Sequence, residues 1–232
     1  WIAEVILEQV LAVAWADLAN KYGEPEHAGT GSGFAVFGYG KLGGIELGYG
    51  SDLDLVFVYD GAEQGVTDGE RSIDNSVFYT RLGQRMIHIL ETRMNLGQLY
   101  EVDMRLRPSG NSGMLVTTVQ GFSSYQQDSA WTWEHQALVR ARFVAGDPAV
   151  AKQVEAVRTA ALCKPRDGAA LAQEVQQMRR KMSKHLLTSK GSGSDGFDLK
   201  QGAGGNVDTE FMVQHAVLGW CHRLAALALL ID

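Results

Sequence analysis

Little in this chain points to disulfide chemistry, nucleic acid or a membrane. Two cysteines, Cys163 and Cys221, in 232 residues are too few for a disulfide framework, so a reduced, cytoplasmic protein is expected. No C-x-x-C or closely spaced histidine pair suggests zinc. A basic excess is also missing. The formal net charge of -6 argues against a dedicated nucleic-acid binder, which needs many Lys and Arg to neutralise phosphates. The apolar stretch 2–22 is interrupted by Glu4, Glu8 and Asp17 and is too short and too charged to span a bilayer. It has neither the basic start nor the cleavage-like tail of a signal peptide. The sequence begins at Trp1 and ends in the apolar run LAALALLID without a helix stop, so a fragment of a longer protein is expected.

What is present is enough apolar material, 45% of residues, for a sizeable core in one or two domains. Residues 2–22 read as a packing helix, followed by a polar loop over 23–33. Phe34–Gly38 reads as a buried strand, Gly38–Gly50 as a glycine-rich loop, and Asp52–Tyr59 as a second strand. A loop over 61–70 precedes an amphipathic helix over 72–93. Leu99–Arg107 alternates, with Val102, Met104 and Leu106 facing one way and Glu101, Asp103, Arg105 and Arg107 the other. That pattern predicts a strand ended by Pro108-Ser109-Gly110. Met114–Thr117 suggests a short strand. Helices are predicted over 119–128, 130–144, 147–162 and 168–188, then a glycine/serine break over 191–196 and a last helix from about Asp208. Strands first and helices later predict an α+β catalytic domain over 1–145, built on a small mixed sheet, followed by a helical domain over 146–232.

Gly38-Tyr39-Gly40-Lys41-Leu42-Gly43 satisfies G-x-G-x-x-G after a strand, with Asp60 further on. The spacing rejects a dinucleotide site, because the next parallel strand would need a crossover of at least ~10–12 residues. Only Gly44–Gly50 separate Gly43 from Ser51, and Asp52 and Asp54 would be left without a role. A phosphate cradle fits better: glycines let the backbone approach an anion closely, Lys41 adds a point charge and Ser51 a hydroxyl.

Asp52 and Asp54 stand two apart at the start of an apolar strand and leave the same face, while Leu53, Leu55 and Phe57 take the other. Carboxylates in such surroundings are costly to desolvate alone. Two acids at this spacing suit a hard cation, and magnesium, with a few carboxylates plus water and phosphate, fits. Asp103 is the candidate third acid. With Arg105 and Arg107 it forms either a row of surface ion pairs or a metal ligand flanked by cations that neutralise phosphate; the Asp52–Asp54 pair favours the second reading. Trp131 and Trp133 read as core and His135 as a structural histidine. Arg179-Arg180-Lys181 reads as a solvated helix face, and Asp208 and Glu210 as helix-start acids. The sequence leaves Arg140 and Arg142 open between nucleotide and partner contacts.

The order of glycine loop, D-x-D and distant Asp resembles the DNA polymerase β-like nucleotidyltransferases. More narrowly, GYGKLGGIELGYGSDLDLVFVYD (38–60), LYEVDMRLRPSGNSGMLV (99–116) and AWTWEHQALVRARFVAGDP (130–148) resemble the glutamine synthetase adenylyltransferase family. The similarity covers about residues 34–218. It implies an enzyme with two related halves, one adding AMP from ATP to a tyrosine of glutamine synthetase and one removing it by phosphorolysis. WTWEHQALVRAR and YEVDMRLRPSG look more like the adenylylating half. Residues 202–211 (GAGGNVDTEF) depart from that pattern at Asn206 and Thr209, and their GAGG is like the other half. The resemblance implies Mg2+ held by Asp52, Asp54 and Asp103. It also implies ATP phosphates near Lys41, Gly43, Gly44, Ser51, Arg105 and Arg107, and PII signal protein and glutamine as regulators of the longer enzyme.

Overall fold

The computed structural model describes residues 1–26, 31–61, 65–95, 97–189 and 198–228. The chain forms two compact units, residues 1–130 with 140–157, and residues 131–139 with 158–232.

In the first unit β1 (Phe34–Gly38), β2 (Leu53–Tyr59), β3 (Val102–Asp103), β4 (Val116–Thr118) and β5 (Arg142–Gly146) form a small mixed sheet, so the chain is α+β. Strand β1 lies between β2 and β5, antiparallel to both. Strands β3 and β4 run parallel to β2, β3 beside Leu53 and Asp54 and β4 beside Phe57–Tyr59. All of β1 and all of β2 except Asp54 are buried, which is why both read as continuous apolar runs.

Helices α1 (Ile2–Tyr22) and α3 (Asn75–Glu91) pack on one face of the sheet. Helix α1 presents Ala3, Leu7, Val10, Leu11, Ala14 and Leu18, and α3 presents Phe78, Leu82, Met86 and Leu90. Both series recur at the three-to-four-residue spacing of one helix face. They meet Phe34, Val36, Leu53, Leu55, Phe57 and Tyr59 in one core. Each large apolar side chain so buried contributes about 1.5–3 kcal/mol. Tyr79, whose hydroxyl donates to the Ser32 carbonyl at 2.9 Å, has its phenol pushed up by burial. The acid-bearing face of β2 points the other way. A short helix α2 (Gly40–Gly43) sits inside the glycine-rich loop, and α4 (Val119–Asp128) follows β4, with Thr118 Oγ1 accepting the Gly121 N–H at its start.

Two predicted elements differ. The helix predicted over 130–144 is a short α5 (Thr132–Leu138) followed by strand β5. Pairing with β1, about a hundred residues away in sequence, overrides the local helical pattern. The strand predicted over Leu99–Arg107 pairs only at Val102–Asp103. There the Asp103 side chain accepts the Arg105 N–H at 2.8 Å, an Asx turn that bends the chain out of the sheet.

The second unit, in its described residues, contains α5, the end of α6 (Pro148–Leu162), α7 (Gly168–Ser189) and α8 (Asn206–Ala228). Its buried polar contacts include Gln136 to Gln214 at 2.9 Å and His135 Nδ1 beside Arg166 at 3.3 Å. His135 is thus buried in a structural contact. Trp131, expected in the core, is 71% exposed. Arg179, expected on a solvated face, is only 14% exposed and donates to Asp208 at 2.5 Å and to the Gln201 carbonyl at 2.9 Å. Asp208, bonded by the Gly204 N–H and by Arg179, is held below the usual carboxylate range. The cysteines expected as separate thiols are joined, Cys163 to Cys221. Cysteine count carries no spatial information, and folding brings the end of α6 to α8 with Cα atoms 4.7 Å apart, within disulfide reach. The predicted break over 191–196 lies outside the described residues, as do residues 229–232 of the terminal apolar run and parts of the loops predicted over 23–33 and 61–70. Among the described residues, no helix is long and apolar enough to cross a membrane.

Candidate active site

Three carboxylates converge at the start of β2. One oxygen each of Asp52, Asp54 and Asp103 lies within 4.8 Å of the others. The pleat sends Asp52 and Asp54 to one face, and parallel pairing of β2 with β3 sets Asp103 directly beside Asp54. Asp52 is exposed, while Asp54 and Asp103 are half-buried. Three like charges this close repel unless a cation accompanies them. Arg105 supplies one: its Nε donates to Asp103 Oδ2 at 2.7 Å and Oδ1 at 2.9 Å, and its Nη2 also meets Oδ2. Hydrogen bonds from Arg105 hold the Asp103 carboxyl below the usual carboxylate range. Bonding to Asp103, with the fields of Asp54 and Asp52, raises the Arg105 guanidinium. Arg105 is 73% exposed and Asp103 13%, so the cation covers the acid on its solvent side. An all-oxygen set open on one side suits a hard divalent cation.

The glycine loop lies against this cluster. Tyr39 N–H donates to the Asp54 carbonyl at 2.9 Å, tying the loop's entry to β2. The chain then turns at Gly40, φ +52°, so close to Asp54 that a Cβ there would lie 2.4 Å from Oδ2. Lys41 Nζ approaches Ser51 Oγ at 3.4 Å across the loop. Gly43 and Gly44 do something other than leave their N–H groups open. Those groups donate at 3.0 Å to the Tyr39 and Gly40 carbonyls. Their bare Cα atoms let the turn press on Arg140, whose carbonyl would be 1.7 Å from a Cβ on Gly43 and whose guanidinium would be 2.6 Å from one on Gly44.

Arg107 folds back on its own segment, donating to the Met104 carbonyl at 2.7 Å and to that of Asn111 at 3.4 Å. The structure therefore brings together Asp52, Asp54, Asp103 and Arg105, with Lys41 and Ser51 paired on the adjoining loop, while Arg107 braces the 104–111 turn. Sequence reasoning names Gly40 only within G-x-G-x-x-G and misses its contact with Asp54, for which the sequence carries no signal beyond the glycine itself. It also left Arg140 and Arg142 without a place, and both lie under the glycine turn. Arg140 pairs with Glu46, and Arg142 with Glu4 of α1.

Residues 1–157 match the sequence family described as glutamate-ammonia ligase adenylyltransferase. Among curated relatives, the bifunctional glutamine synthetase adenylyltransferase/adenylyl-removing enzyme of Pseudomonas putida is 53% identical over 235 residues, covering 96% of this chain and 24% of the relative. The enzymes of the same description from Pseudomonas syringae pv. tomato and Hahella chejuensis are each 54% identical, covering 98% and 96% of this chain and 24% of their own lengths. The chain thus spans about a quarter of these relatives.

Proposed function

Because the chain belongs to the glutamate-ammonia ligase adenylyltransferase family, we propose that it carries the adenylylating centre of a bifunctional enzyme. In this reading it moves AMP from Mg·ATP to a tyrosine hydroxyl of glutamine synthetase and releases pyrophosphate. The fold of the first unit is then that of a polymerase β-like nucleotidyltransferase domain, with a helical domain after it. The observation that carries the proposal is the convergence of Asp52, Asp54 and Asp103 beneath a solvent-facing arginine.

In the reaction the phenol oxygen bonds to the α-phosphorus and the bond from that phosphorus to the β-bridging oxygen breaks. The phenolic proton leaves to a base; Asp103 serves either as that base or as a ligand of the divalent ion. Asp52 and Asp54, with Asp103 in its ligand role, would hold a divalent ion, which when bound would supply Lewis-acid charge to the α-phosphate and leaving pyrophosphate and lower the phenol pKa from about 10. Arg105 is free to exchange its carboxylate partner for phosphate oxygens, the bidentate chemistry of a guanidinium. Lys41 and Ser51 offer a charge and a hydroxyl to the triphosphate, and Gly43 and Gly44 shape the turn that presents them. Catalysis otherwise rests on positioning and on charge placed in advance.

A second reading is phosphorolytic removal of AMP by the same acid set. It is favoured by the GAGG of residues 202–205, where the Gly204 N–H bonds Asp208 at 2.6 Å. In either reading, PII signal protein and glutamine are regulators of the longer enzyme. The test is AMP incorporation into glutamine synthetase from α-labelled ATP, set against AMP release from the adenylylated substrate with phosphate. Asp52 is exposed, so Asp52→Asn keeps the fold and lowers transfer by roughly 10²–10³-fold, the usual cost of removing one preorganised electrostatic group. Full transfer in that variant refutes the site. Release without incorporation selects the second reading.

A further inference from the structure

We propose that Arg142 is a positioning residue that sets the depth of the glycine turn against Asp54, with Glu4 of α1 as its anchor. Arg142 stands at the first position of β5, opposite Gly38 of β1. From there its guanidinium reaches under the loop. Nε donates to the Gly43 carbonyl at 3.2 Å and Nη2 to the Leu42 carbonyl at 3.1 Å. These carbonyls stand at the C-terminal end of α2, where that of Leu42 also accepts the Ile45 N–H at 3.3 Å. The guanidinium adds a charged donor to both and meets the negative end of the turn's dipole. The same Nη2 pairs with Glu4, so the planar fork is fixed from below by α1 while it grips the loop above.

The grip matters because of what lies at the other end of the turn. α2 spans only Gly40–Gly43, so its two ends move together. At its C-terminal end it rests on Arg142 and, through bare glycine Cα atoms, on Arg140; at its N-terminal end Gly40 abuts the Asp54 carboxylate. A turn released from Arg142 is free to lift off β5, and with it go the wall that limits Asp54 and the placement of Lys41. The side chain of Arg142 bonds to the turn and to Glu4, and it acts through the turn. The inference deepens the proposed function and rests on its assignment of this loop and these acids to Mg·ATP.

The experiment is calorimetric titration of the intact protein with Mn2+ and with Mg·ATP, alongside thermal melting. Arg142→Met is expected to weaken Mg·ATP binding by about tenfold, the equivalent of roughly one hydrogen bond to a charged group. Arg142→Lys, which can reach one carbonyl but not form the fork, is expected to recover part of that loss. Glu4→Gln is expected to weaken binding by about threefold while the carbonyl bonds persist. In each case the change in KM for Mg·ATP exceeds the change in kcat. Unchanged affinity in Arg142→Met, or losses of affinity that only follow the loss of melting temperature across all three variants, overturns the proposal. A parent protein that binds Mg·ATP but forms no AMP–tyrosine refutes the proposed reaction and leaves the affinity comparison readable. A parent that binds neither Mn2+ nor Mg·ATP overturns both.

Discussion

Replacing Gly40 by alanine separates the needs of the fold from those of the site. At φ +52° an L side chain costs about 1–2 kcal/mol in backbone strain. The new methyl carbon would start 2.4 Å from Asp54 Oδ2, against ordinary contact at 3.4 Å or more, so something has to yield by about 1 Å. The atom that yields is the end of a half-buried side chain rather than backbone. The carboxylate therefore turns aside, and the fold loses little beyond the strain, a fall of roughly 2–8 °C in melting temperature. The chemistry loses more. A displacement of 1 Å at a reacting centre costs on the order of 10²-fold in rate, and the displaced group is one of the three proposed cation ligands. The assay is AMP transfer from labelled ATP with a thermal melt of the same preparation. Gly48→Ala in the same loop is the control, because its Cβ would meet only Ser51 Oγ, at 3.7 Å, and it keeps both activity and stability. Equal behaviour of Gly40→Ala and Gly48→Ala would refute the idea that the loop's contact with Asp54 matters.

Two further outcomes are expected. Arg105→Gln removes the hydrogen bonds that depress Asp103, so the Asp103 carboxyl resonance should titrate at higher pH; an unmoved titration means Arg105 is not its partner in solution. The sign follows from the depressed folded value: the stabilisation is present above the unfolded pKa near 4 and is lost as pH falls through the folded one. With Arg105 73% exposed, it amounts to well under 1 kcal/mol, so melting at neutral pH barely changes. Reduction of Cys163–Cys221 with a dithiol releases a loop spanning 58 residues and should destabilise the second unit by about 4 kcal/mol on chain-entropy grounds. Identical melts with and without reductant, or recovery of two alkylatable thiols before reduction, contradict the link.

The sequence made the candidate site legible where local pattern and tertiary environment agree. Asp52 and Asp54 were placed on one face by the two-residue period, and the structure puts them there beside Asp103. The helix over 2–22 is readable as a long apolar run broken by Glu4, Glu8 and Asp17, and that over 72–93 because its apolar residues recur at helical spacing. Strand β5 was not, because Ala137 to Phe143 carries a pattern that suits a helix as well, and only β1 across the fold decides for a strand. The alternation over Leu99–Arg107 misled in the opposite sense. It reports which residues face inward, but the Asx turn at Asp103, a hydrogen bond between neighbours, ends the ladder after two residues. Arg179 looked solvated because three basic residues in a row usually are, and its burial depends on Asp208 and Gln201 arriving from outside α7.

The shortness of β3 has a mechanical consequence. Two residues of ladder hold the third acid in place, and a slip by a single residue would bring Val102 or Met104 alongside Asp54 instead. What opposes the slip is the far end of α3 together with the first residue of β2. Tyr100 N–H is tied to the Leu90 carbonyl at 3.1 Å, Val102 N–H to the Glu91 carboxylate at 3.2 Å, and the Glu101 carbonyl to Leu53 N–H at 2.8 Å. These bonds act as an alignment key, indexing a segment that would otherwise slide. A helix that contributes no acid to the centre thereby helps set which side chain stands there, and the spacing of the charge cluster depends on α3 as well as on the sheet.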